Sequence, residues 1–213
     1  GQQKSNSLGL LQLACPGLYV GCFYGSVFCG NYFIEFYHII WCSMRYLLKM
    51  MYDGTRYGGY QRQANADTVG ERLLTALQTL FGQVEHMAGC SRTDSGVHAL
   101  MFCVSFDAAQ ERDSQAVVRA LNALLPDDIC VTGCQRVADD FHARYSCRGK
   151  QYLYQIRDSA LRNPFYDRYA LTVPHALDIQ RLNQIVLPII GTHDFTSFMA
   201  SGSKITDCVR TVT

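Results

Sequence analysis

Residues 83–106 read Gln-Val-Glu-His-Met-Ala-Gly-Cys-Ser-Arg-Thr-Asp-Ser-Gly-Val-His-Ala-Leu-Met-Phe-Cys-Val-Ser-Phe. Strand-like apolar patterns at 83–88 and 99–106 flank the polar stretch Ser91 to His98, which therefore reads as a loop between two consecutive strands. Working outward, a helix precedes this pair. Thr68 and Glu71 have capping-box spacing, Val69, Leu73, Leu74, Leu77, Leu80 and Phe81 recur at three and four residues, and Gly82 stands where a C-terminal cap belongs. A second helix follows from Ser114 to Leu125 and is ended by Pro126-Asp127-Asp128. Strand patterns at Arg45–Tyr52 and Ile129–Val137 close the series. The order strand, helix, strand, strand, helix, strand predicts an α+β fold with ferredoxin-like units around a mostly antiparallel sheet. Further on, the spacing predicts a strand over Gln151–Arg157, a helix from Leu177-Asp178 to about Ile190 with Pro188 near its end, and a last strand from about Cys208.

The front of the chain is a different kind of sequence. Of the 37 charged residues among 213, only Lys4 and Glu35 lie in residues 1–43. The uncharged run Ser5 to Ile34 is long enough to cross a bilayer, but Pro16 and five glycines interrupt it and no basic cluster precedes it. Residues 1–43 are therefore expected to be a non-native or unstructured leader, such as translated sequence upstream of a start at Met44. Neither a signal peptide nor a membrane anchor is expected.

That segment carries Cys15, Cys22, Cys29 and Cys42. The other six cysteines, Cys90, Cys103, Cys130, Cys134, Cys147 and Cys208, form no Cys-x-x-Cys pair, so they read as buried free thiols of a cytoplasmic protein. A net charge of +1 carries no whole-chain sign of nucleic-acid binding. Locally, however, seven basic residues (Arg136, Arg144, Arg148, Lys150, Arg157, Arg162, Arg168) face four acids between Arg136 and Arg168, a surplus able to follow a phosphate backbone or to be a solvated face.

Chemistry concentrates in three polar segments. In Arg92-Thr93-Asp94-Ser95-Gly96-Val97-His98, a cation and a carboxylate share a strand-flanked loop, where Arg92 can keep Asp94 ionised and Gly96 permits close approach, although Asp-x-Gly by itself also reads as an ordinary structural turn. Tyr52-Asp53-Gly54-Thr55-Arg56-Tyr57 and the following Gly58 to Gln63 mix aromatics, arginines and glycines as RNA-contacting loops do. The Asp-Gly-Thr there lacks an aspartate two residues earlier, where Met51 stands, which removes an aspartyl phosphatase. The third segment is Asp139 to Ser146, followed by Lys150-Gln151-Tyr152-Leu153-Tyr154, in which a strand puts Tyr152 and Tyr154 on one side of the sheet.

Taken in order, these segments closely resemble the TruA family of tRNA pseudouridine synthases. The matches are Arg92 to Ala99, Tyr52 to Tyr57, Gln61 to Gln63, Asn122 to Ile129, Asp139 to Arg144 and His193 to Phe198, and they span about Met44 to Thr213. Tyr60, where many members have tryptophan, and Met101-Phe102-Cys103, where glycine-glutamine-valine is more usual, depart from the pattern.

The resemblance implies the pseudouridine synthase fold and a homodimer that isomerises uridine to pseudouridine in the anticodon stem-loop of tRNA, at tRNA positions 38 to 40. It implies no metal, no organic cofactor and no membrane partner. It also implies an N-terminal domain at 44–148 and the start of a C-terminal domain at 149–213, with further strands and a basic helix beyond Thr213 needed to complete the latter. By position, Asp94 is the expected nucleophile, attacking either C6 of the base or C1′ of the sugar. Arg92 is expected to pair with it or fill the space of the flipped base, and Tyr152 to stack on the uracil. Arg56, Arg62, Arg144, Arg148 and Lys150 are the expected RNA contacts. A binding module that keeps the scaffold without turnover is the alternative.

Overall fold

In a computed structural model of the chain, residues 26–29, 32–35, 43–199, 202 and 206–213 are described, the first two stretches as backbone only. Ser26–Cys29 (β1) and Tyr32–Glu35 (β2) pair antiparallel, with Ser26 opposite Glu35 and Cys29 opposite Tyr32. The rest of the expected leader, with Cys15, Cys22 and Cys42, lies outside the described residues. Ser43–Thr213 form a compact unit of their own. No helix among the described residues is long and apolar enough to cross a membrane.

Within that unit Met44–Tyr52 (β3) is followed by Val69–Phe81 (α1), Val84–Gly89 (β4), Ala99–Ala108 (β5), Ser114–Leu124 (α2) and Ile129–Arg136 (β6). The four strands form one antiparallel sheet in the order β4-β5-β3-β6. Period-two alternation decides its faces: Tyr46, Leu48, Met50 and Tyr52 of β3 and Phe102, Val104 and Phe106 of β5 join Leu73 and Leu77 of α1 and Val117 and Leu121 of α2 in a single buried cluster. Tyr46, Phe81 and Phe106 meet there with ring centroids 5.4 to 5.6 Å apart.

Both helices start as their sequences predict. Thr68 Oγ1 accepts from Glu71 N, and Asp113 Oδ1 accepts from Ala116 N. The reciprocal half of the capping box is not made, because the Glu71 carboxylate is taken by Arg62.

The opposite face of the sheet holds a segment of loop. Arg45 Nη1 donates to the Phe141 carbonyl at 2.9 Å, and Ala143 N donates to the buried Ser105 Oγ at 3.1 Å. Arg45 is itself fixed by a two-pronged pair with Asp107 at 2.6 and 2.7 Å, which His86 Nδ1 joins at 2.8 Å. Burial alone would raise the Asp107 carboxyl, but Arg45 and His86 together hold it below the usual carboxylate range. His86 reaches it from a bulge between Glu85 and Ala88, with a left-handed φ of 49°.

Three expectations are corrected in this unit. Residues 151–155 form no strand, and only Ile156–Asp158 (β7) pairs, in parallel, with Leu171–Val173 (β8). Tyr152 and Tyr154 therefore share no sheet face; an alternating pattern makes a strand only where a neighbour receives its backbone hydrogen bonds. The third helix stops at Val186 (α3, Ile179–Val186) and tightens into a 3₁₀ turn at Leu187–Ile189, because Pro188 has no N–H to continue the ladder. Gly191–Asp194 (β9) and Val209–Val212 (β10) then pair antiparallel. Finally, the six cysteines are free, as expected, but none is fully buried and Cys130 is exposed.

Candidate active site

The loop between β4 and β5 is shaped by two local devices. Cys90 N donates to the Cys103 carbonyl at 2.8 Å and extends the strand ladder by one step. The chain then reverses in a turn closed by Val97 N donating to the Asp94 carbonyl at 3.2 Å. Gly96 occupies that turn at a φ of 78° with open space where a side chain would go, so its conformation, not close approach, is what calls for glycine.

Close approach is instead the business of the other loop. A side chain at Gly54 would collide with the Val97 carbonyl, and one at Gly59 with the Thr93 carbonyl. The segment Tyr52 to Tyr60 is thus pressed against the Asp94 loop backbone to backbone. Gly96 N donates to the Tyr57 carbonyl at 3.2 Å, Ser95 Oγ to the same carbonyl at 3.3 Å, and Tyr60 N to Thr93 Oγ1 at 3.1 Å. The Tyr52 hydroxyl lies 3.0 Å from Thr93 Oγ1. Burial pushes the Tyr52 phenol up to about 12, so it stays protonated and available for that bond.

The clamp is braced from behind by Asp128. Its carboxylate accepts from the Tyr57 hydroxyl at 2.6 Å and from Arg56 at 2.5 and 2.8 Å, while its carbonyl accepts from Asp53 N at 2.9 Å. Burial first, then the hydrogen bond to Asp128 and its charge, push the Tyr57 phenol up.

A second brace runs to the later part of the chain. Asp53 caps the 3₁₀ turn Gly54–Arg56 by accepting from Thr55 N at 2.9 Å, and it accepts from the Tyr169 hydroxyl at 2.8 Å. His98 Nδ1 stands 3.0 Å from Asp53 Oδ1 and 3.1 Å from Gly54 N, and its Nε2 lies 3.3 Å from the Arg168 carbonyl. Burial would raise the Asp53 carboxyl, but the hydrogen bonds from Thr55 and Tyr169 and the charge of His98 bring it down to about 2.

Against this frame the predicted residues fall into two groups. Arg92 and Asp94 are brought together on one loop, both exposed, and neither side chain has a hydrogen-bond or ion-pair partner among the described residues. The expected Arg92–Asp94 pair is not formed in this structure. Arg56 and Arg62 sit on the neighbouring loop but are occupied by Asp128 and Glu71. Arg144 lies over the Tyr145 ring at 5.9 Å, and Arg148 and Lys150 are exposed without a partner among the described residues. Tyr152 is exposed.

Sequence reading missed Thr93, Asp128, His98 and Tyr169 as parts of the frame. The first three lie inside the quoted motifs, so the signal was their position there. Tyr169 had none.

The structure thus offers an α+β scaffold with Arg92 and Asp94 exposed on a braced loop, both without a partner among the described residues, and known proteins say which family has it. A family model described as tRNA pseudouridine synthase matches residues 49–146. The chain is 44% identical over 168 residues to tRNA pseudouridine synthase A of Lacticaseibacillus casei, covering 78% of this chain and 68% of that protein. It is 42% identical over 171 residues to that of Latilactobacillus sakei, with 80% and 69% covered. For Exiguobacterium sp. the figures are 40% over 168 residues, with 79% and 68% covered. The chain belongs to the tRNA pseudouridine synthase family.

Proposed function

We propose that this protein isomerises uridine to pseudouridine in the anticodon stem-loop of tRNA, with Asp94 as nucleophile. The observation that carries the reading is the Asp94 carboxylate itself, unengaged among the described residues, on a loop whose backbone is held by Tyr57 and Tyr60. Isomerisation breaks the C1′–N1 bond and forms C1′–C5, with the C5 proton lost and N1 left protonated, so no co-reactant is consumed. A carboxylate serves by adding to C6 or to C1′ and so holding the fragments together between the two bonds. The target base leaves the helical stack at a cost of about a few kcal/mol, which contacts to the RNA offset.

In this reading Arg92 pairs with Asp94 once RNA excludes water, or fills the space the base vacates, and Tyr152 stacks on the uracil. Arg148, Lys150 and Arg144 contact phosphates directly, whereas Arg56 and Arg62 do so by exchanging their present carboxylate partners for RNA. The strand order β4-β5-β3-β6 supports a ferredoxin-like unit, and a domain boundary near residue 148 is part of the same proposal. A cytoplasmic homodimer that uses neither metal nor organic cofactor completes the proposal.

The test is Asp94→Asn, nearly isosteric and far less nucleophilic. Pseudouridine formation on unmodified tRNA is expected to fall by roughly 10³-fold or more, as for nucleophile removals elsewhere, while tRNA affinity and melting temperature stay put. Turnover within about tenfold of the unsubstituted protein would overturn the assignment.

A further inference from the structure

We propose that Thr93 is the positioning residue of this site: its hydroxyl, held between the Tyr52 phenol and the Tyr60 backbone N–H, sets the path of the loop that turns Arg92 and Asp94 outward. The proposal rests on the reading of Asp94 as nucleophile. Along Arg92-Thr93-Asp94 the outer two side chains are exposed and the middle one is half-buried, so a single inward anchor orients both neighbours.

That anchor is gripped on three sides. Tyr60 N donates to Thr93 Oγ1 at 3.1 Å and approaches the Thr93 carbonyl at 3.4 Å, the Tyr52 hydroxyl stands 3.0 Å from Oγ1, and the bare Cα of Gly59 lies under the Thr93 carbonyl. Tyr52 is itself buried, 4% exposed at the end of β3 and packed edge-on to Phe102 at 5.7 Å. The chain thereby ties the reacting carboxylate, on the next residue, to the end of the inner strand β3. Thr93 touches neither substrate nor reacting atom; it acts through Asp94.

Misplacing a reacting group by about 1 Å costs up to about 10²-fold in rate. Thr93→Val keeps the shape and removes the hydroxyl, so kcat is expected to fall roughly 10- to 100-fold with KM for tRNA unchanged. Thr93→Ser, which restores the hydroxyl, is expected to restore kcat, a rescue that a purely structural role for the methyl group does not predict. Tyr52→Phe is expected to lower kcat in the same direction, and the double variant Tyr52→Phe with Thr93→Val to fall no further than Thr93→Val alone.

Unchanged kcat in Thr93→Val, additive losses in the double variant, or a change confined to KM each overturns the proposal. Should Thr93→Val fail to fold, Thr93→Ser and Tyr52→Phe decide: full activity in Tyr52→Phe overturns it, and a lowered kcat beside an active serine variant supports it. Failure of the Asp94 reading is distinguishable, because it shows as turnover by Asp94→Asn whatever Thr93 does.

Discussion

Residues 44–148 and 149–213 obey the same local rules and reach different ends. Every hydrophobic side chain that is buried among the described residues lies between Tyr46 and Ala143. Beyond, Tyr152, Leu153, Tyr154, Leu161, Phe165 and Ile185 are exposed, and α3 buries none of its residues although Ile179, Leu182, Ile185 and Val186 repeat at helical spacing. α1 and α3 both carry an amphipathic stripe and a capping side chain. The difference is that α1 has a sheet beneath it, and helical stability in proteins comes mostly from such packing. An apolar stripe thus announces an element without saying what covers it.

The sharpest way to break this contrast is to remove one large side chain from each region. Phe106→Ala is expected to cost about 3–5 kcal/mol, since its ring is fully buried among Tyr46 and Phe81. Ile185→Ala is expected to change stability by less than about 0.5 kcal/mol. Urea unfolding followed by circular dichroism measures both, and equal losses would mean that α3 is packed in solution.

Acid should also separate the regions. Asp53 is held at about 2 and Asp107 below the usual range. A depressed folded value contributes stability that is present above the unfolded carboxylate pKa of about 3.9 and is lost as pH falls through the folded value. The urea midpoint is therefore expected to drop between about pH 5 and about pH 2, and Asp53→Asn to flatten part of that slope. Asp167 of the later region is also held low, first by the Asn163 backbone N–H and further by Thr172 and Arg162, with its side chain 20% exposed. Among the described residues the buried hydrophobic side chains all lie in the first region, so Asp167→Asn is expected to flatten the slope by less than Asp53→Asn, and equal flattening would erase the distinction.

The smallest effect separates cations that hold a carboxylate partner from those without one among the described residues. Replacing the unpaired Arg148 or Lys150 by Ala is expected to reduce the slope of log affinity for tRNA against log salt by about 1 each. Arg62→Ala is expected to reduce it by less, because forming an RNA contact first breaks the pair with Glu71. Binding isotherms at several salt concentrations decide; equal reductions would show that the carboxylate partners do not restrain these arginines.

Alternation, helical spacing and capping are properties of neighbouring residues, so β3 to β6, α1 and α2 were legible nearly to the residue, whereas Arg92 and Asp94 stood out only through the resemblance of their loop to a family signature. The sequence by itself could not decide that 151–155 would lack a strand partner, since pairing depends on what else the chain brings alongside. It also read the Tyr52 to Gln63 loop as an RNA surface, where the tertiary structure makes much of it the clamp of the Asp94 loop. Gly54 against Val97, Tyr52 against Thr93 and Tyr57 against Asp128 are separated by about 40 to 70 positions. Contacts at that separation leave no periodic trace, and only the folding of β3 between β5 and β6 brings the two loops and Asp128 to one end of the sheet, where their backbone polar groups can be satisfied against each other.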